Sequence, residues 1–185
     1  MPAYQWLRQA RLQGGEREAP AIYAQAMTEP GSPAKATSGV HFPPPFLYVG
    51  FLLLGLLLER WAPLVRLPRV PSRALAAVLL FAGLGLLLWC LLLFLRARTS
   101  PLPFRPTAAL VASGAYRWTR NPMYLAMLLV YLGTALLFDL FWSLLLAPLV
   151  VFLMNRLVIA KEERYLEARF GDEYRRYRAR VRRWI

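Results

Sequence analysis

Four apolar segments, separated by polar or proline-rich stretches, constrain the fold of this chain more than any other feature. They cover approximately residues 45–61, 72–95, 122–138 and 140–159. A helix of about 20 apolar residues matches the hydrocarbon thickness of a lipid bilayer. Few soluble proteins of this size reach 58% hydrophobic residues, which are here collected into blocks. We therefore predict an all-α, multi-pass transmembrane bundle of about four spans.

Residues that start, stop or bend helices punctuate these segments. Pro45 fits the first turn of a helix, Ser72 is a good N-cap for the second span, and Pro122 opens the third. The link around Asp139 is so short that it predicts an antiparallel hairpin between the third and fourth spans, and Pro148 predicts a kink in the fourth. In the second span, Gly83 and Gly85 indicate close helix packing rather than nucleotide binding, since no strand precedes them.

The polarity of the chain divides it into three parts. Residues 1–39 are polar and predict a poorly ordered tail, 40–160 hold the transmembrane domain, and 161–185 form a polar C-terminal segment. In this last part, four apolar side chains recur at helical spacing among arginines. These side chains are Tyr174, Tyr177, Val181 and Trp184. The pattern predicts an amphipathic helix lying on the membrane surface.

The charge of the chain indicates a lipid partner and an orientation. Its net charge is +13, and the arginines flank apolar runs instead of forming one polar domain. Anionic headgroups are therefore a simpler partner than nucleic acid. The Asp139 hairpin carries no Lys or Arg, so the positive-inside rule places both termini in the cytoplasm, at the inner membrane in a bacterium. With one cysteine, Cys90, and one histidine, His41, we expect no metal site.

A polar and aromatic cluster precedes the third span. Asn121 and Pro122 fit the N-cap and first positions of a helix, whose free N–H groups attract anions. Arg120 adds a planar guanidinium suited to carboxylate or phosphate, and Tyr116 and Tyr124 add rings and hydroxyls. The alternative is an ordinary capped membrane helix with a snorkelling arginine and interfacial tyrosines.

A second cluster, Glu162 and Glu163, follows the fourth span. Lys161, Arg156 and Arg164 could neutralise these carboxylates, or the carboxylates could accept hydrogen bonds from an ammonium group or ribose hydroxyls. The predicted hairpin brings both clusters to the same mouth of the bundle. An anion site beside a carboxylate site suits a zwitterionic amino-acid ligand.

Together the two clusters carry a resemblance. The pattern Gly-x-Tyr-x-x-x-Arg-x-Pro-x-Tyr over 114–124, followed by Glu-Glu-x-x-Leu-x-x-x-Phe-Gly-x-x-Tyr-x-x-Tyr over 162–177, resembles the isoprenylcysteine carboxyl methyltransferase and phospholipid N-methyltransferase superfamily. The resemblance implies an integral membrane methyltransferase that uses S-adenosylmethionine and acts on an amphiphilic or lipid-like acceptor, a carboxylate or an amine.

The resemblance also implies roles for individual residues. Arg120 would orient cofactor or substrate. Apart from the resemblance, an amine acceptor would have to lose its proton, and Glu163 or a tyrosine could assist. The implied cofactor-binding residues are Gly114, Tyr116, Asn121, Pro122, Tyr124, Glu162, Glu163 and Tyr177. Eukaryotic carboxyl methyltransferases usually have His where this chain has Asn121, a departure that bears on the acceptor more than on the cofactor.

Two other functions stay open from the sequence. Sterol-reductase-like membrane enzymes carry a similar Arg-x-Pro-x-Tyr turn and use a reduced nicotinamide cofactor, although their chains are generally longer. A non-catalytic scaffold or lipid-binding protein would make the polar mouth a set of snorkelling charges. The Glu162–Glu163 pair and the short chain favour methyl transfer over the reductase.

Overall fold

A computed structural model describes residues 43–64, 68–100 and 109–185, and within these ranges the fold is all-helical. The predicted tail over 1–39 and the prolines at 101, 103 and 106 lie outside the described residues. The elements are α1 Pro45–Trp61, α2 Arg69–Arg96, a 3₁₀ turn Gly114–Arg117, α3 Pro122–Leu137, α4 Phe141–Leu153, a π-helical stretch Met154–Ile159, α5 Ala160–Phe170 and α6 Asp172–Arg180.

Two helical runs are long and apolar enough to cross a membrane, Val70–Arg96 and Phe141–Phe170. The apolar helix α3, Pro122–Leu137, is shorter. Large apolar side chains such as Leu88 and Phe152 point outward, with 58% and 54% of their surface exposed. An exterior covered by such side chains suits hydrocarbon rather than water. The count of four spans stays a prediction.

Several predicted boundaries agree with the structure, and the predicted start of the second span differs. Helix α1 begins at Pro45, α3 begins at Pro122, and Asp139 turns the chain with a φ of 54°. Helix α2, however, begins at Arg69, so Ser72 lies in its first turn and is not its N-cap. Pro71 is tolerated in a first turn because its missing N–H would have no helical partner there, so the helix extends back past Ser72.

The fourth helical run does not end near Ile159 as the sequence predicts. It continues from α4 through the π-helical stretch Met154–Ile159 into α5 without a break. Pro148 lies inside α4, but the departure from α geometry comes six residues later, at Met154. Glu162 and Glu163 therefore lie within a continuous helical run and not at its C-terminus.

The helices α3 and α4 run antiparallel, as the short link predicts. The Tyr131 hydroxyl donates to the Ser143 carbonyl oxygen at 2.6 Å, and the Tyr124 hydroxyl, two turns earlier, donates to Glu162 at 2.6 Å, far later in the returning run. Residues that come earlier in α3 therefore contact residues that come later in the returning run, as in an antiparallel pair. This pairing brings the start of α3 beside α5.

Close packing of α2 on α3 depends on Gly83. A Cβ atom at Gly83 would lie 2.9 Å from both the Ala126 carbonyl oxygen and the Val130 nitrogen. At Gly85 a Cβ atom would meet nothing within 4 Å. The prediction of a glycine packing contact is thus confirmed for Gly83 and wrong for Gly85, which lies on an open side of the helix.

This difference gives a matched pair of substitutions. Gly83→Ala is expected to destabilise the protein by about 1–3 kcal/mol, since backbone atoms of α3 must move. Gly85→Ala is expected to be neutral or stabilising, because alanine is the better helix former by about 1 kcal/mol. Thermal unfolding in detergent measures both. Equal midpoints for the two variants would contradict the α2–α3 contact.

The C-terminal segment is not one amphipathic helix. Gly171, with a φ of 51°, separates α5 from α6, and α6 ends at Arg180. Val181 is extended, and Arg182 forms a bridge with Thr119, so the predicted helical face does not reach Val181 or Trp184. Thr119, Arg120 and Asn121, which precede α3, donate hydrogen bonds to the Arg182 and Arg183 carbonyl oxygens. These bonds replace the hydrogen bonds that a continued helix would make. We call residues 181–185 the C-terminal strap.

Candidate functional site

The segment before α3 carries most of the first motif. Gly114 has a φ of 59°, and a Cβ atom there would lie 2.8 Å from the Leu93 side chain, so glycine suits the position on two grounds. The 3₁₀ turn that follows buries Tyr116. Arg120 then lies immediately before α3, where its backbone N–H donates to the Arg182 carbonyl oxygen at 2.9 Å.

Asn121 occupies the N-cap position of α3, but its side chain does not cap the helix. Its Nδ2 donates instead to the Arg183 carbonyl oxygen at 2.9 Å. The Thr119 hydroxyl donates to the same carbonyl oxygen at 3.0 Å and accepts from the Asn121 N–H at 3.2 Å. The predicted capping role is therefore wrong, because the strap offers Asn121 a partner that the sequence does not reveal.

The two motifs meet at one cavity of about 830 Å³, including the part open to solvent. Seven of the predicted site residues line it: Tyr116, Arg120, Asn121, Tyr124, Glu162, Glu163 and Tyr177. Gly114 and Pro122 do not line it; they shape the turn and the helix start.

Glu163 is held by two arginines. Arg183 binds it in bidentate fashion, with Nε 3.1 Å from Oε1 and Nη2 on Oε2. Arg120 Nη1 lies 3.2 Å from the same Oε1. Only 10% of the Glu163 side chain is exposed, and such a carboxylate needs cationic partners to stay ionised. Arg120 and Arg183 thus already compensate the charge of Glu163 within the protein.

Arg120 is less well satisfied than the carboxylate it contacts. Its side chain is 11% exposed, and both Nε and Nη1 are buried without a hydrogen-bond partner among the described residues. Nη1 is close to Glu163 but is not aligned for a hydrogen bond. Because an unsatisfied buried donor costs about 1–3 kcal/mol, these atoms favour an acceptor supplied from the cavity.

Glu162 faces the same cavity with a different environment. Its Oε1 accepts a hydrogen bond of 2.6 Å from the Tyr124 hydroxyl, and Tyr48 in turn donates to the Tyr124 carbonyl oxygen at 3.1 Å. Within the described ranges no Lys or Arg forms an ion pair with Glu162. Among the described residues this carboxyl group therefore has no cationic partner, and a cationic ligand could supply one.

Two further tyrosines close the cavity. The Tyr177 hydroxyl donates to the Tyr116 carbonyl oxygen at 2.7 Å and joins α6 to the first motif. Burial raises the pKa of both Tyr116 and Tyr177 above the ordinary tyrosine value. Both phenols therefore stay neutral at physiological pH and serve as hydrogen-bonding groups.

Sequence reasoning missed part of this site. The cavity wall also includes Phe94 on α2, Met123 on α3, Leu166 on α5 and Tyr174 on α6. The regular spacing of Tyr174 with Tyr177 was visible, but it predicted a membrane-facing surface. Arg183 appeared as one of many basic residues in a tail, and no local signal marks it as the partner of Glu163.

Comparison with known proteins identifies the family. The sequence model of the phospholipid methyltransferase family matches residues 71–173, more than half of the chain. The chain belongs to the phospholipid methyltransferase family. The matched region contains the first motif and the second motif as far as residue 173, and it ends before Tyr174, Tyr177 and the C-terminal strap. This confirms the resemblance seen in the sequence, and the two long apolar helices agree with a membrane protein.

Two relatives are similar to part of the chain. An uncharacterized protein of Haemophilus influenzae is 44% identical over 63 residues, which cover 34% of this chain and all of that protein. A protein-S-isoprenylcysteine O-methyltransferase of Schizosaccharomyces pombe is 40% identical over 72 residues, which cover 39% of this chain and 30% of the yeast protein. No solved structure matches the chain significantly.

Proposed function

We propose that this protein transfers a methyl group from S-adenosylmethionine to a lipid-like acceptor, a carboxylate or an amine. One observation carries the proposal: in the described part of this methyltransferase-family chain, the cavity wall holds an arginine with two nitrogens that make no hydrogen bond and a glutamate that has no cationic partner. A ligand with one anionic and one cationic group would satisfy both.

The residues fit the amino-acid end of such a donor. A carboxylate of the ligand would accept hydrogen bonds from Arg120 Nε and Nη1, which make no hydrogen bond to the described residues. An ammonium group would bind the Glu162 carboxylate, which Tyr124 holds in place. Tyr116 and Tyr177 would contribute ring surface and hydroxyls to the rest of the ligand.

Methyl transfer from this donor requires little of the protein beyond positioning the donor and the acceptor. S-adenosylmethionine supplies a methyl group already activated on a sulfonium. The chain would align donor and acceptor, and the apolar side chains of Phe94, Met123 and Leu166 would keep water out. A carboxylate acceptor requires no base. The two ion pairs of Glu163 argue against a role as a base and favour a role in holding Arg120.

The proposed acceptor is amphiphilic. The family is named for phospholipids and the yeast relative for an isoprenylcysteine, and both acceptors combine a long apolar part with a polar methylation site. The apolar exterior of α2 and α4 suits delivery of such a molecule from the bilayer. Four spans with both termini in the cytoplasm are part of this proposal.

The donor is tested by comparing ligands on the purified protein in detergent. S-adenosylhomocysteine at about 100 times its Kd is expected to stabilise the folded protein by about 2.7 kcal/mol, and NADPH is expected to have no effect. Stabilisation by NADPH alone would favour the sterol-reductase-like alternative. Stabilisation by neither would support a scaffold or lipid-binding protein.

The acceptor requires a separate experiment. The protein is incubated with S-adenosylmethionine carrying a radiolabelled methyl group and a membrane lipid extract, and the labelled product is identified. We expect label in a chloroform-soluble product. Alkali-labile label would indicate a methyl ester, and stable label a methylated amine. Label confined to the aqueous phase would contradict a lipid-like acceptor.

A further inference from the structure

The C-terminal strap is hydrogen-bonded to the segment that carries the cavity-lining residues Arg120 and Asn121. Its Arg182 carbonyl oxygen accepts from the Arg120 N–H at 2.9 Å, and its Arg183 carbonyl oxygen accepts from both Asn121 and Thr119. Further along, the Trp184 indole N–H donates to Asn155 Oδ1 at 3.1 Å, at the π-helical stretch. These contacts hold the strap against the segment before α3 and against the π-helical stretch. They therefore fix the position of the Arg183 backbone, from which its side chain extends.

The Arg183 side chain engages Glu163 more completely than Arg120 does. It reaches both carboxylate oxygens with aligned donors, whereas Arg120 only approaches one of them. A bidentate guanidinium–carboxylate pair is the strongest and most directional form of this interaction. The Arg183 side chain is 40% exposed and does not line the cavity. It therefore contacts Glu163 and would not contact a ligand in the cavity.

This arrangement determines the charge around Arg120. In the cluster of Arg120, Glu163 and Arg183, one carboxylate shared between two guanidiniums leaves one positive charge in excess. If Arg183 were absent, Glu163 would neutralise Arg120 alone, and this cluster would lose its excess positive charge. We infer that Arg183 is a positioning residue that binds Glu163 and thereby leaves Arg120 free for the anionic end of the ligand. The inference rests on the proposed function, in which that ligand is S-adenosylmethionine.

The first test separates this role from simple stabilisation of the fold. Full-length Arg183→Gln is compared with Arg182→Gln, a neighbour whose exposed side chain makes no ion pair or hydrogen bond with the described residues. Two probes are titrated: S-adenosylhomocysteine, and 5′-methylthioadenosine, which lacks the amino-acid group. Arg183→Gln is expected to weaken S-adenosylhomocysteine about tenfold or more while changing 5′-methylthioadenosine less than about twofold, since only the former carries a carboxylate.

Other outcomes would overturn the inference. Arg182→Gln is expected to bind both probes as the wild type does. An equal loss of both probes in Arg183→Gln would indicate a structural role only, and no loss would remove the role altogether. If the wild-type protein binds S-adenosylhomocysteine no better than 5′-methylthioadenosine, the proposed function itself fails.

A double-mutant cycle tests whether Arg183 acts through Glu163. In a Glu163→Gln background, adding Arg183→Gln is expected to change S-adenosylhomocysteine affinity less than about twofold, because the shared carboxylate is gone. Arg183→Lys, which keeps the charge but not the bidentate fork, is expected to restore part of the loss. A tenfold effect that persists in the Glu163→Gln background would contradict the inference.

Discussion

Replacing Arg120 with Gln is expected to weaken binding of S-adenosylhomocysteine by about 100-fold or more, since losing one partner of a buried charge pair costs about 2–5 kcal/mol. Arg120 is the cavity group with buried, unpartnered donors. The fold should survive, because Arg183 still neutralises Glu163 in this variant. Isothermal titration in detergent measures the affinity, and thermal unfolding without ligand measures the fold.

Arg117→Gln is the matched control for this substitution. Arg117 ends the 3₁₀ turn of the same segment, but it is exposed and does not line the cavity. It is expected to bind S-adenosylhomocysteine within about twofold of the wild type, as surface substitutions usually change energies by less than 0.5 kcal/mol. Equal affinities in Arg120→Gln and the wild type would remove Arg120 from the site.

Replacing Glu162 with Gln is expected to have opposite effects on binding and on stability. The amide can still accept from the Tyr124 hydroxyl, but the negative charge is lost. Affinity for S-adenosylmethionine is expected to fall about 10- to 100-fold, because a charge-assisted partner of the ammonium disappears. The ligand-free protein is expected to gain about 1 kcal/mol, since a carboxylate without a cation is no longer held in a partly buried site.

Two variants control the Glu162 result. Glu173→Gln, on the exposed face of α6, is expected to leave both affinity and stability unchanged. Tyr124→Phe removes the hydrogen bond that orients Glu162 and is expected to lower affinity without removing the charge. Should Glu162→Gln bind S-adenosylmethionine as the wild type does, the carboxylate has no part in donor binding.

The sequence was most informative where local rules act alone. Apolar runs and prolines predicted the helical class, the starts of α1 and α3, and the hairpin at Asp139. Two motifs far apart in the chain were expected at one place, and seven predicted residues line one cavity. The prediction worked because the helix pairing follows from the short link, which leaves few possible arrangements.

Long-range pairing explains what the sequence did not reveal. Periodicity alone predicted that Val181 and Trp184 continue a helix, but nothing local indicates that Thr119 and Asn121 bind the chain at Arg183 instead. The same contact removes Asn121 from its expected capping role. Likewise, the sequence left open whether three nearby basic residues or a ligand would bind Glu163, yet its partners in the structure are Arg120 and Arg183.

The sequence by itself determined the class of the protein and the chemistry available to it: apolar helices, with one group of basic and aromatic residues and one of acidic residues. The tertiary structure decided which charges remain available to a ligand. Among the described residues, Glu163 pairs with Arg120 and Arg183, whereas two nitrogens of Arg120 make no hydrogen bond and Glu162 has no cationic partner. The physical reason is that ion pairing depends on distance in space, and the strap that sets those distances joins residues about 60 positions apart in the chain.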